Sequence, residues 1–228
     1  MINIDEYAIV SDFDGTVILQ DTNDVLFTRV AGDENRLIED RYRAGEADAR
    51  TTMERHFEAF RITLDEYYAF LDENISVDPG FLPFLLMVRE KNLPFFLVSG
   101  GFRRAIRRML GDGLIPDTDI YANDLVMTDR LRPVFASSAP VCNEKTGPCG
   151  NCKKECIEDI RKRTGKKILY IGDGMTDRCA VKKADFIYAK DSLAEYCREN
   201  KLVFKEFCGF ADIMELIVSE QPFRLRGS

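Results

Sequence analysis

Residues 7–16 read Tyr-Ala-Ile-Val-Ser-Asp-Phe-Asp-Gly-Thr, and this stretch decides how the rest of the chain is understood. Its first five residues form a short apolar, β-branched run, the pattern of a buried strand. Residues two apart on a strand share a face, so Asp12 and Asp14 leave the end of this strand as a pair of carboxylates. Gly15 permits a tight departure, and Thr16 offers a hydroxyl and an amide to an anion. Two adjacent carboxylates repel each other, and a hard divalent cation with oxygen ligands relieves that repulsion.

Working outward, further strands are expected at 94–98 (PFFLV), 167–171 (KILYI), 186–189 (FIYA) and 203–207 (VFKEF). Helical patterns lie between or after them at 79–91, 103–110, 156–163, 176–183, 193–200 and 210–218. This alternation predicts an α/β fold, a Rossmann-like parallel sheet with helices on both faces. Residues 120–133 read as a strand or hairpin turning near Asp129-Arg130. Residues 19–77 break the rhythm: they hold amphipathic helices at 23–30, 35–44, 47–60 and 64–73 and no convincing strand. They are expected to form a small helical-bundle cap, with 1–18 and 78–226 as the core domain.

Two more segments fall at the ends of expected strands, where open α/β sheets place their ligands. Gly172-Asp173-Gly174-Met175-Thr176-Asp177 follows KILYI, so Asp173 and Asp177 complete an oxygen-rich metal site beside Asp12 and Asp14. Ser99-Gly100-Gly101 follows PFFLV and is expected to turn into a helix, its hydroxyl and amides suiting a phosphate oxygen.

Composition narrows the function. A net charge of −7 argues against general affinity for nucleic acid or an anionic membrane. No uncharged apolar run approaches the roughly 18 residues of a membrane span, and residues 1–6 lack the basic start and apolar stretch of a secretory peptide. Seven cysteines, an odd number in a chain of this size, read as reduced thiols in a cytoplasmic protein. The single histidine, His56, excludes a multi-histidine metal site and reads as a partly exposed residue on a charged helix.

Taken together, D-x-D-G-T, S-G-G and G-D-G-x-x-D in this order resemble the haloacid dehalogenase superfamily over nearly all of the chain. The resemblance is to the phosphoserine-phosphatase-like branch, which carries a helical cap after the first motif. It implies a Mg²⁺-dependent phosphatase acting on a small phosphorylated metabolite. Asp12 would be the nucleophile and a Mg²⁺ ligand, and Asp14 would protonate the leaving alcohol and then activate water. Ser99 and Gly100 would hold phosphoryl oxygens, and Asp173 would bind Mg²⁺ with Asp177 supporting it. The lysine that pairs with nucleophile and phosphate is expected at Lys153, with Lys154 as its rival. A phosphotransferase or phosphomutase would share the phosphoaspartate but exclude water from it.

Within the branch, Tyr121-Ala122-Asn123, the stretch at 149–153, the motif at 172–177 and Ala189-Lys190-Asp191-Ser192-Leu193 resemble methionine-salvage phosphatases that act on an enol-phosphate. Phosphoserine phosphatases are the alternative. They usually show Asn-Asp where this chain has Thr176-Asp177, and a cap glutamate where it offers Asp21 to the substrate. Cys142, Cys149, Cys152 and Cys156 could hold a structural Zn²⁺, although only one C-x-x-C pair is present. Arg103, Arg104, Arg107 and Arg108 read as a solvated helix face, with Arg103 close enough to the Ser99 segment to meet an anionic substrate. Oligomeric state is not legible.

Overall fold

The computed structural model describes residues 3–30, 32–59, 61–137 and 149–220. Strand β1 (Tyr7–Ser11) is buried along its whole length. It lies between β2 (Phe95–Phe102) and β5 (Lys167–Gly172), parallel to both. The sheet continues through β3 (Ile120–Met127) and β4 (Leu131–Val134) on one side and β6 (Phe186–Ala189) and β7 (Lys205–Glu206) on the other. The order is β4-β3-β2-β1-β5-β6-β7, parallel throughout except for the β3–β4 hairpin. That hairpin turns at residues 128–130, as the sequence predicts.

Alternate residues of β1 feed two separate cores, because successive side chains point to opposite faces. Tyr7 and Ile9 join α5 (Phe81–Glu90) and α10 (Phe210–Glu220) on one face. Ala8 and Val10 join α7 (Lys153–Thr164), α8 (Arg178–Val181) and α9 (Asp191–Glu199) on the other. The remaining helix after β2 is α6 (Arg103–Leu110). No helix of the described residues is long and apolar enough to cross a membrane.

Between β1 and α5 run α1 (Thr22–Val30), α2 (Gly32–Arg43), α3 (Ala49–Ala59) and α4 (Leu64–Asn74). A capping box fixes the start of α4: the Thr63 hydroxyl accepts from the Glu66 amide while the Glu66 carboxylate accepts from the Thr63 amide. Leu26, Phe57, Tyr67 and Leu71 from these helices belong to the same core cluster as α5 and α10. Chain enters and leaves the segment side by side, through an antiparallel bridge between Ile18 and Val77.

His56 is not the partly exposed residue the sequence suggested. It is 2% exposed, stacks on Phe27 with ring centroids 4.0 Å apart, and lies 2.5 Å from Asn35 Oδ1 through Nδ1. The charged residues around it in sequence lie on other faces of α3, so a single apolar stripe takes the imidazole inward. Its partners make it a packing residue of α1–α3.

Candidate functional site

Strand register brings the acidic and hydroxyl residues together. Ser11 pairs with Leu97 of β2 and with Ile171 of β5. Asp12, Ser99 and Asp173, each one or two residues past that row, therefore emerge side by side at the carboxyl end of the sheet. The Asp12 amide still donates to Ile171 O at 2.8 Å, so Asp12 is anchored to the sheet by its backbone.

Asp12, Asp173 and Asp177 each offer an oxygen, all within 4.8 Å of one another, and Lys153 enters this cluster from the start of α7. The Lys153 ammonium lies 2.7 Å from Asp12 Oδ1 and 2.7 Å from Asp177 Oδ1, and all three side chains are almost wholly buried. Burial alone would lower the lysine's pKa, but the charges of Asp12 and Asp177 outweigh it and raise the value. Burial, then the charge of Asp177, push the Asp12 carboxyl well above its usual range against the pull of Lys153. The same two causes raise Asp173 to about 6, opposed by the Thr16 hydrogen bond and by Lys153 and Lys190. Three carboxylates around one ammonium leave an excess of negative charge. A set of oxygen donors of this kind suits a hard divalent cation.

Asp177 is held by four donors. Lys153 and the Tyr170 hydroxyl, at 2.6 Å, bind Oδ1, while the amides of Asp173 (3.1 Å) and Gly174 (3.0 Å) bind Oδ2. Of the two lysines considered, Lys153 makes the contacts and Lys154 is exposed.

Asp14 stands apart from the three-carboxylate group. Its Oδ1 accepts from the Thr22 amide at 3.0 Å and the Thr22 hydroxyl at 2.6 Å; its Oδ2 accepts from Ser99 Oγ at 3.1 Å. Asp14, expected as a metal ligand with Asp12, Asp173 and Asp177, has its carboxylate engaged by Thr22 and Ser99 and is not among the carboxylates that gather there.

Gly15 and Thr16, expected as substrate donors, have their amides engaged within the protein. The Gly15 amide donates to Gln20 O at 3.1 Å, and the Thr16 amide to Phe13 O at 3.2 Å. The Thr16 hydroxyl donates to Asp173 Oδ1 at 2.6 Å, so it orients a cluster carboxylate instead of an anion. Gly15 is required for a different reason, since its φ is +70° and a Cβ there would run into the Asp173 carboxylate.

Ser99, Gly100 and Gly101 belong to β2 and not to the turn before a helix. The register of β2 against β3 shifts between Val98 and Phe102, and within that stretch Ser99 Oγ meets Asp14 Oδ2. Gly101 donates its amide to Ser99 Oγ at 2.8 Å, and a Cβ there would stand 2.6 Å from Asp14 Oδ2. Two asparagines hold the segment from behind. Asn123 donates to Gly100 O at 2.7 Å, and Asn151 donates to Ser99 O and Tyr121 O, both at 2.9 Å. Sequence reading missed Thr22, Tyr170, Asn123 and Asn151 as supports. A tyrosine in the apolar part of KILYI was one available signal, because its buried hydroxyl needs a partner, and Asn123 and Asn151 lie in the stretches 121–123 and 149–153 noted above.

Asp21 caps α1, its Oδ1 accepting from the amides of Asn23 and Asp24 at 2.9 Å each. Although Asp21 keeps exposed surface, the protein enclosing its carboxyl, and then the charge of Asp14, raise it to about 7. Arg103 is spent elsewhere, on Asp117 O at 3.1 Å and Ile120 O at 2.7 Å. Its neighbours on α6 reach Leu125 O, Asp117 and Asp72, so the basic face is a set of tethers.

The zinc expectation is not supported. Among the described residues, Cys149, Cys152 and Cys156 do not gather as a ligand group, and Cys142 lies outside those residues. Burial, then the nearby Cys152, raise the Cys156 thiol to about 12, and its Sγ lies 3.2 Å from Asn151 Oδ1. A thiol so held is a poor source of the thiolate that zinc requires.

Comparison with known proteins agrees with this geometry. A polyol phosphate phosphatase of Saccharomyces cerevisiae is 29% identical over 91% of this chain and 90% of its own length. A 2-hydroxy-3-keto-5-methylthiopentenyl-1-phosphate phosphatase of Bacillus cytotoxicus is 30% identical over 90% of this chain and 93% of its own. A substrate-bound phosphoserine phosphatase structure superposes with a TM-score of 0.68 at 19% identity, covering 92% of this chain and 98% of that one. The family model for haloacid dehalogenase-like hydrolases matches residues 9–182, from the strand before Asp12 to the helix after Asp177, and the chain belongs to that family of enzymes.

Proposed function

We propose that this hydrolase is a Mg²⁺-dependent phosphatase of small phosphomonoesters that works through a phosphoaspartate on Asp12. The observation that carries the reading is Lys153, shared at 2.7 Å between Asp12 and Asp177 inside a buried three-carboxylate cluster. Residues 1–18 and 78–226 would form the core domain and 19–77 its cap.

Asp12 Oδ1 already accepts from the Phe13 amide and from Lys153, both at 2.7 Å, which leaves Oδ2 to attack phosphorus. The new Oδ2–P bond forms as the bond to the leaving alcohol oxygen breaks, and Asp14 gives that oxygen a proton. Water then attacks the phosphorus, Asp14 takes its proton, inorganic phosphate departs and the Asp12 carboxylate is restored. Lys153 and Ser99, with the Gly100 backbone, would donate to the phosphoryl oxygens. Mg²⁺ held by Asp12 and Asp173, with Asp177 behind, would supply positive charge against the phosphoryl oxygens. Spontaneous phosphate monoester hydrolysis is slow enough to need up to ~10²¹-fold acceleration, so covalent catalysis and charge stabilisation are both called upon.

For the substrate, the enol-phosphate of methionine salvage or a close analogue is the leading reading, supported by the Bacillus cytotoxicus relative. A polyol phosphate has comparable support from the yeast relative. Phosphoserine rests on likeness of fold at low identity. A phosphotransferase would use the same phosphoaspartate.

Phosphate release from p-nitrophenyl phosphate tests the proposal. Turnover is expected with Mg²⁺, lost in EDTA and lost in Asp12→Asn. Turnover that persists in Asp12→Asn would overturn it, and transfer to a second alcohol in place of free phosphate would favour the transferase.

A further inference from the structure

Arg50 on α3, part of the proposed cap, reaches the residues that follow β4. Its guanidinium lies over the Phe135 ring, 5.1 Å from the centroid, and its Nη2 donates to Ser137 O and, at 3.4 Å, to Cys149 O. Residues 135–137 leave β4, whereas Cys149 leads into α7, so one planar cation gathers two separate segments. The segments also hold each other. The Ser137 amide donates to Gly150 O at 3.0 Å, and a Cβ at Gly150 would stand 2.7 Å from the Phe135 ring and 2.8 Å from Asn123 Nδ2.

Two short routes lead from these segments to Ser99 and Gly100. Beside Ser137, the Ala136 amide donates to Asn123 Oδ1 at 3.1 Å, and Asn123 Nδ2 donates to Gly100 O at 2.7 Å. Two residues after Cys149, Asn151 Nδ2 donates to Ser99 O at 2.9 Å, while its Oδ1 lies 3.2 Å from Cys156 Sγ. Both asparagines are buried, and each is fixed at its oxygen as well as its nitrogen. An amide held at both ends carries a shift of its segment to the carbonyl that it binds. A tether serving stability alone could end on any carbonyl; Arg50 ends on the two segments that support the Ser99–Gly100 backbone.

Resting on the phosphatase reading and adding a residue to it, we propose that Arg50 is a positioning residue for the phosphoryl subsite. By clasping 135–137 to 149–151 it sets the Ser99–Gly100 backbone through Asn123 and Asn151. Affinity for the phosphoryl group then depends on how α3 is seated, and Arg50 acts through the asparagines and not by touching substrate.

The test measures kcat and KM for p-nitrophenyl phosphate in Mg²⁺, and the Ki of inorganic phosphate as a competitive inhibitor. It uses wild type, Arg50→Ala, Arg50→Lys, Asn123→Ala and the double variant of Arg50→Ala with Asn123→Ala. A small misplacement of a positioned group can cost about 100-fold. Arg50→Ala is expected to raise KM and the phosphate Ki at least about fivefold, and Arg50→Lys, which keeps a charge and a donor, should recover part of that. The double variant should fall no more than about twofold below the worse single variant in kcat/KM, since residues of one network are not additive. Loss of folded protein lowers apparent kcat and leaves KM and Ki unmoved, and that outcome would overturn the role. Losses that multiply in the double variant would overturn it too. Gly150→Ala decides if Arg50→Ala fails to fold: its methyl group crowds Asn123, so the phosphate Ki should rise likewise, and an unchanged Ki would sink the relay. Asp12-dependent turnover by wild type separates the two levels: where it holds and the Arg50 variants bind phosphate normally, only the positioning role falls, and where it is absent, the phosphatase reading falls.

Discussion

At the residue scale, the lysine between Asp12 and Asp177 joins folding to chemistry. Removing one partner of a buried ion pair typically costs about 3–5 kcal/mol, because the remaining charge is left uncompensated. Lys153→Ala should lose stability of that order in urea unfolding without metal, together with its phosphatase turnover. A variant as stable as wild type would show that the ammonium is not needed to hold the carboxylates. Asp21 gives a pH signature. Its folded pKa of about 7 lies above the ordinary aspartate value near 4, so ionisation is disfavoured in the folded state. The resulting penalty is complete above about pH 7, shrinks as the pH falls toward about 4, and is absent below. Asp21→Asn keeps an oxygen to cap α1, and should therefore be more stable than wild type at about pH 8, with the advantage fading in acid. Thermal melts across that range check the sign, and an advantage that grows in acid would contradict it.

At the element scale, β1 and its following carboxylates were legible because each strand is a continuous apolar run and each motif sits at its end. The structure agrees at β1, β5 and β6. Ser99-Gly100-Gly101 was misread as a turn for a physical reason: glycines ordinarily break strands, and what keeps these in β2 is Asn123 and Asn151, distant in sequence. Helix α8 is shorter than its apolar pattern, since a 3₁₀ turn at Met175–Asp177 aims Asp177 inward first. The arginines of α6 show the limit of pattern reading most clearly. Spacing places them on one face, but only tertiary structure supplies Asp72 on α4 as the partner of Arg108. This pair is about half exposed and screened by solvent, so it adds little to stability. Arg108→Ala is expected to leave stability almost unchanged and turnover within about twofold; a large loss of turnover would restore the basic face as a substrate contact.

At the scale of the whole molecule, a parallel sheet flanked by two cores places the C-terminal ends of β1, β2 and β5 in one row. Asp12, Ser99 and Asp173 come together because those central strands are neighbours in register, a fact that strand-by-strand reading anticipates only through general rules of α/β topology. The second tier of the site was hidden from sequence. Thr22 and Tyr170 are single polar residues with no motif, and their roles, like that of Asn151 within the stretch at 149–153, appear only when their partners are in place.

The central claim, a covalent phosphoryl group on Asp12, is tested most directly by acid-quenching the enzyme during turnover of a phosphomonoester and locating the phosphate adduct by peptide mass spectrometry. The account predicts an acyl phosphate on Asp12 that accumulates when Asp14→Asn slows its hydrolysis and is absent from Asp12→Asn. Turnover with no adduct, or an adduct on another side chain, would contradict it.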